Sequence, residues 1–108
     1  EAVGRVFSSA EGRKTKTAAR SHLQMADSFY IQKNFREAKK QFLAVEILYN
    51  FPDIQSPALF QAAACQEQLR EFAEAVKTLD MLIRKHPDSS FAAMAKKRLP
   101  RLRRLAGS

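Results

Sequence analysis

Apolar residues recur at intervals of three and four positions along most of this chain, which is the spacing of one face of a helix. The pattern predicts helices over residues 17–33, 35–49, 57–69 and 71–85, and a fifth from about residue 89 onward. About five helices and no sheet are therefore expected. Residues 1–16 are ambiguous, because Gly4 and Gly12 interrupt their helical spacing. They predict a short helix or a loose arm.

Local signals place the predicted helix boundaries. Thr17 is positioned to cap the first helix, and Asp88 or Ser89 the fifth. The pair Lys33-Asn34 forms the first turn, since Asn tolerates left-handed backbone angles. Ser56-Pro57 begins the third helix, with Ser as the cap and Pro at the first helical position.

Two stretches share the pattern Phe-x-Glu-Ala-x-x-x-(Phe/Leu), one over Phe35–Phe42 and one over Phe72–Leu79. The second copy lies 37 positions after the first, and a period in this range indicates stacked repeats. The small Ala38 and Ala75 predict places where another helix approaches closely. A proline follows each copy, and we expect both helices to stop before Pro52 and Pro87, with residues 51–55 forming a loop.

These repeats resemble the tetratricopeptide repeat, a helix-turn-helix unit with Ala-x3-Phe and a late Pro. The first helix of each unit departs from the family pattern, although small residues remain at Ala26 and Ala63. The resemblance implies an all-α fold, a short right-handed α-solenoid of two repeats over 17–53 and 54–88. A capping helix starts before residue 99, and 100–108 form a basic tail in which Pro100 should kink or end the helix. Such arrays need a terminal helix with a polar outer face.

The stretch from His86 to Leu99 resembles the closing segment of bacterial cell-envelope repeat proteins, such as the periplasmic partner of the Tol–Pal system. That resemblance implies a bacterial scaffold in the periplasm or cell envelope, with the cytoplasm as the alternative. The chain has no run of 18 apolar residues, and no apolar targeting segment stands at its start.

The net charge of +8 is concentrated at the two ends of the chain. Residues 21–94 carry eight basic and nine acidic side chains, whereas residues 95–108 carry six basic and none acidic. The near-neutral repeats disfavour nucleic-acid binding by the body of the protein, and the basic end leaves it open there.

No arrangement of residues predicts catalysis or a cofactor. His22 and His86 have no ligand partners at metal spacing, and the three glycines are too scattered to cradle a phosphate. Cys65 lies among alanines on a predicted helix, which indicates a small buried packing residue. The expectation is a protein that is not an enzyme.

The family resemblance implies a concave groove, lined by the first helix of each unit and the last helix, that binds a peptide or a helix. Leu23 and Asp27 stand where a carboxylate clamp would need Lys and Asn, so an apolar anchor is expected instead. The groove positions are Arg20, Leu23, Asp27, Tyr30, Phe60, Ala64, Glu67, Phe91, Met94 and Arg98.

Two alternatives remain open at this stage. One is binding of a polyanion, either nucleic acid or an anionic membrane surface, through the basic end. The other is self-association through the ends of the stack, giving a homo-oligomer. The basic patch comprises Lys96, Lys97, Arg101, Arg103 and Arg104.

Overall fold

The computed structural model describes residues 15–107, and in that range it contains five helices and no strand. The expected all-α fold is therefore confirmed, while all but the last two residues of the predicted N-terminal arm lie outside the described range. The helices are α1 (Lys16–Ile31), α2 (Phe35–Leu48), α3 (Pro52–Gln68), α4 (Phe72–Lys85) and α5 (Ser90–Ala106).

Each helix packs against the next in the chain, and α3 also contacts both α1 and α5. The stack of five helices is elongated, with principal dimensions of 54 × 30 × 18 Å. Contacts confined to neighbours along the stack are the hallmark of a helical repeat solenoid. The repeat architecture expected from the sequence is thus present.

Helix α3 lies at the centre of the stack and is buried on two sides. Ala58, Ala62 and Cys65 belong to a first hydrophobic cluster with α1 and α2. Leu59 and Ala63 belong to a second cluster with α4 and α5. A helix that packs on two sides needs apolar residues around most of its circumference, which explains why α3 lacks a polar stripe.

Alanine occupies the close contacts between helices. Ala26, Ala38, Ala63 and Ala75 are at most 1% exposed, as the sequence predicted. Cys65 is fully buried among them, and burial raises the pKa of its thiol to about 12. A thiol in this environment stays protonated at neutral pH and serves as a packing group.

The two turns inside the repeats have the same geometry, 37 residues apart. Lys33 and Arg70 adopt left-handed angles, with φ of 64° and 63°. The amide of Asn34 donates to the carbonyl of Phe29 at 2.9 Å, and that of Glu71 donates to Gln66 at 2.7 Å. Both turns are Schellman motifs. The left-handed residue is Lys33 rather than the expected Asn34, because Asn34 caps α2 instead.

The starts of α1 and α3 differ from the sequence prediction. The cap of α1 is Thr15 rather than Thr17, and its hydroxyl accepts from the amide of Ala18 at 3.1 Å. Helix α3 begins at Pro52, so residues 52–55, expected in a loop, are helical. Ser56 is not a cap; its hydroxyl donates to the carbonyl of Pro52 at 2.7 Å within the helix.

Helix α5 covers the second cluster at the end of the stack. Its cap is Ser89, one of the two expected residues, and it runs on past Pro100 to Ala106. Pro100 therefore does not end the helix. Leu99 and Leu102 are buried, whereas Met94 and Leu105 are 40% and 36% exposed. Met94 and Leu105 were expected on the buried face of α5 and lie instead at the edge of that face.

Candidate partner-binding groove

The ten predicted groove residues lie on α1, α3 and α5, the three helices that contact one another through α3. Helix α1 carries Arg20, Leu23, Asp27 and Tyr30; α3 carries Phe60, Ala64 and Glu67; α5 carries Phe91, Met94 and Arg98. Of these ten, only Ala64 is buried, at 7% exposure. The others are partly buried or exposed.

The structure brings four of the predicted residues together between α3 and α5. The rings of Phe60 and Phe91 are 5.6 Å apart, and the guanidinium of Arg98 lies 5.4 Å from the Phe60 ring centroid. Arg98 Nη2 also donates to Glu67 Oε2 at 2.6 Å. These residues form an aromatic and charged cluster, the α3–α5 cluster, that stays partly open to solvent.

Arg101 also belongs to this cluster, although the sequence placed it only in the basic patch. Its Nη2 lies 3.8 Å from Glu67 Oε1, so two arginines share one carboxylate. The sequence held a signal for this contact, because Arg98 and Arg101 are three residues apart and therefore share a helix face.

The α1 side of the groove has a different character. Leu23 and Tyr30 pack against the first cluster, and the Tyr30 ring meets Phe35 edge-on at 5.3 Å. Asp27 has no ion-pair partner among residues 15–107, and partial burial raises the pKa of its carboxyl. Arg20 is exposed nearer the start of the helix. This half offers apolar surface and one uncompensated carboxylate.

The residues of the predicted basic patch are all exposed on α5. Arg103 Nη2 lies 3.3 Å from Asp80 Oδ1 on α4, and Arg101 reaches Glu67 as described above. Part of the basic end is thus used to tie α5 to its neighbours. Exposed pairs of this kind contribute little to stability, roughly 0 to 1 kcal/mol each.

His22 serves the packing of the first repeat. Its Nδ1 is 3.2 Å from the hydroxyl of Tyr49, and its Nε2 is 2.8 Å from Oε1 of Gln41. The amide nitrogen of Gln41 in turn donates to Glu37 at 2.7 Å. Since Gln41 presents its oxygen to the ring, Nε2 carries the proton and donates. Both ring nitrogens are satisfied.

A second polar cluster, which was not among the sequence predictions, joins the ends of α2 and α4. Glu46 is 6% exposed; its Oε2 accepts from Lys85, and its Oε1 lies 3.7 Å from His86 Nε2. Sequence spacing could have revealed it, because position 46 lies four residues after the buried Phe42 and so shares its face. This contact links the second helices of the two repeats.

No group of three or more His, Cys, Asp or Glu side chains in residues 15–107 could hold a metal ion. Two carboxylates at the start of α4 pair with lysines, Glu71 with Lys39 at 2.8 Å and Glu74 with Lys77 at 3.6 Å. No helix in the described part of the chain is long and apolar enough to cross a bilayer.

Comparison with known families gives a match over most of α3, α4 and the turn that follows them. Residues 57–89 match the tetratricopeptide repeat. The match covers Ala75, Leu79 and Pro87, the residues on which the resemblance rested. Neither a comparison with curated proteins nor one with solved structures found a match. The further likeness to bacterial envelope proteins stays a prediction.

Tetratricopeptide repeats are in general modules for protein–protein interaction and are typically not enzymes. The matched repeat contains Phe60 and Glu67, and the α3–α5 cluster joins them to the following helix. The matched tetratricopeptide repeat and the candidate groove therefore share the same helix, α3.

Proposed function

We propose that this protein is a non-enzymatic scaffold that binds a peptide or helix of another protein in the groove formed by α1, α3 and α5. The observation that carries the proposal is the α3–α5 cluster, in which Phe60 and Phe91 contact each other yet remain half-exposed. Aromatic and arginine side chains are the residues that most often dominate binding energy at protein interfaces. Their grouping on the family's binding face favours this function over the alternatives.

The residues of the groove favour a partner that is bound by apolar contacts, with charged contacts at the edges. Leu23 and Tyr30 supply apolar surface on α1, and Met94 supplies it on α5. A helix laid in such a groove would place its own apolar stripe against these side chains. The carboxylate of Asp27 and the guanidinium of Arg98 would then contact its polar edges.

Polyanion binding through α5 is the competing function, because this helix has six basic and no acidic residues. Two of the arginines are held by Glu67 and one by Asp80, which lowers the positive charge available to a phosphate backbone. The two functions differ in their dependence on salt and on apolar side chains. One experiment can separate them.

The test is a pull-down from the native host with the wild-type protein and two sets of variants, at low and moderate salt. We expect Tyr30→Ala or Phe60→Ala to weaken capture by at least roughly tenfold, since loss of an interface aromatic commonly costs over 1 kcal/mol. Replacing Arg103 and Arg104 with Gln should change capture little. Ile47→Ala, at a position 79% exposed on α2, is the matched apolar control.

Two results would contradict the proposal. One is that partners survive the loss of Tyr30 and Phe60 but disappear when the arginines are replaced. The other is that capture falls steeply with salt, as counterion release requires for a polyanion. Either result would assign the binding function to the basic end.

A further inference from the structure

One face of α5 combines exposed apolar residues with arginines. Met94, Arg98, Arg101 and Leu105 follow one another at spacings of four, three and four, which places them on a common helix face. Met94 and Leu105, at 40% and 36% exposure, are the exposed large apolar residues of this helix. They flank the two arginines along the helix. We call these four residues the α5 row.

The arginines of the α5 row are already arranged around a carboxylate. Arg98 lies 2.6 Å and Arg101 3.8 Å from the two oxygens of Glu67. The ring of Phe60 beneath Arg98 restricts the orientation of its guanidinium. The geometry is thus that of a carboxylate site, built between α3 and α5 and occupied by a side chain of the same protein.

The occupant leaves much of this site open to a second carboxylate. The Glu67 side chain is 10% exposed, whereas Arg98 is 36% and Arg101 63% exposed. A guanidinium has five N–H donors in a planar fork, so two arginines offer more donors than one carboxylate can accept from. An acidic side chain arriving from solvent can therefore join or displace Glu67.

The charge around the row also favours an acidic partner. Helix α5 carries no acidic residue, and Lys97 lies one position before Arg98. In residues 15–107, Glu67 and Asp80 are the carboxylates paired with arginines of α5. A partner with carboxylates along one edge would complement this surface, whereas a basic partner would be repelled.

We infer that the partner segment is an acidic amphipathic helix that lies along α5, with its carboxylates on Arg98 and Arg101 and its apolar residues on Met94, Leu105 and Phe60. This inference rests on the proposed function and specifies the chemistry of the partner. Glu67 acts as an internal competitor for the two arginines. It lowers the affinity for any acidic segment and thereby favours those that also supply the apolar contacts.

The probe is a fluorescein-labelled amphipathic peptide of Leu, Ala and Glu, of roughly 17 residues so that it matches the length of α5. Its Kd for the full chain is measured by fluorescence anisotropy. Three competitors accompany it: the same residues in scrambled order, a version with Lys in place of Glu, and an oligothymidylate of matched charge. Circular dichroism melts check that every variant is folded.

The informative substitution is Glu67→Gln, which keeps the shape of the side chain and removes its charge. Without the competing carboxylate of Glu67, Arg98 and Arg101 should bind the acidic peptide roughly three- to fivefold more tightly. This change in Kd corresponds to the free energy of a partly exposed ion pair. Asp53→Asn is the matched control, because Asp53 also lies on α3 and pairs across helices, with Lys16 at 2.6 Å, but is at the opposite end of α3 from Glu67. It should leave the Kd unchanged.

The reciprocal substitution is Arg98→Gln. We expect it to weaken binding of the acidic peptide by at least roughly tenfold, since hydrogen bonds to charged groups are the stronger ones. Arg103→Gln, which removes an arginine paired with Asp80 instead, should have little effect.

Three outcomes would overturn the inference. They are an unchanged or weaker Kd for Glu67→Gln, equal binding of the scrambled or basic peptides, and the absence of binding by any peptide. Competition by oligothymidylate that persists in Phe60→Ala would replace it with polyanion binding. If native partners still depend on Tyr30 and Phe60 while ignoring Glu67 and Arg98, the groove function stands and only the acidic partner is wrong.

Discussion

Replacing Phe42 with Ala should lower the free energy of unfolding by about 3 to 5 kcal/mol, the largest stability effect we expect in this chain. Phe42 is fully buried on α2 within the first cluster, so its removal loses hydrophobic burial and leaves a cavity. Small domains are stable by only about 5 to 15 kcal/mol. The variant should therefore be close to unfolding at physiological temperature.

Urea titration followed by circular dichroism measures this change. The control is Ile47→Ala on the same helix, because Ile47 is 79% exposed and its truncation should change stability by less than about 0.5 kcal/mol. If the two variants were equally stable, Phe42 would not be a core residue and the packing of α2 on α1 and α3 would be wrong.

Ala75→Leu should destabilise the protein by roughly 1 to 3 kcal/mol through overpacking. Ala75 is fully buried in the second cluster and lies within the matched repeat. A larger side chain there must push α4 away from its neighbours, and a close-packed interior resists such a shift.

Ala73→Leu is the matched control for this substitution, since Ala73 lies on the same helix and is exposed. Leu is nearly as good a helix former as Ala, so the control should leave the denaturation midpoint almost unchanged. An Ala75→Leu variant as stable as the control would show that the two repeats are aligned in the wrong register.

The features of the fold that could be predicted from the sequence depend on residue spacing and on the backbone chemistry of single residues. The 37-residue repeat predicted that Ala38 and Ala75 pack between helices, and both residues are fully buried. Pro87 correctly marked the end of α4, which stops at Lys85. Spacing and backbone chemistry of this kind do not depend on the rest of the structure.

The start of α3 could not be derived in the same way. Pro52 and Pro57 are both acceptable first residues of a helix, and Ser56 favours the later start. Tertiary contacts favour the earlier one, because Ile54 is buried and the side-chain amide of Gln55 donates to the carbonyl of Glu46 at 3.0 Å. Such a contact between helices cannot be recognised from the residues near the start of α3.

The candidate groove was also predictable only in part. The family pattern places its residues on α1, α3 and α5, but it does not predict their contacts with one another. Arg98 stacking over Phe60 and the sharing of Glu67 by two arginines depend on how α5 crosses α3. The sequence therefore placed Glu67 in the groove but did not show that Arg98 and Arg101 share its carboxylate.

Site-specific photo-crosslinking to the natural partner is the most direct test of the groove. A benzophenone side chain would replace Met94 on α5, Arg20 on α1 or, as the control, Ile47 on α2, and each position is exposed enough to carry it. We predict that the same partner segment is crosslinked from Met94 and from Arg20 and that Ile47 yields no crosslink. Crosslinks from Ile47 without any from Met94 or Arg20 would contradict the account, because the partner would then bind outside the groove.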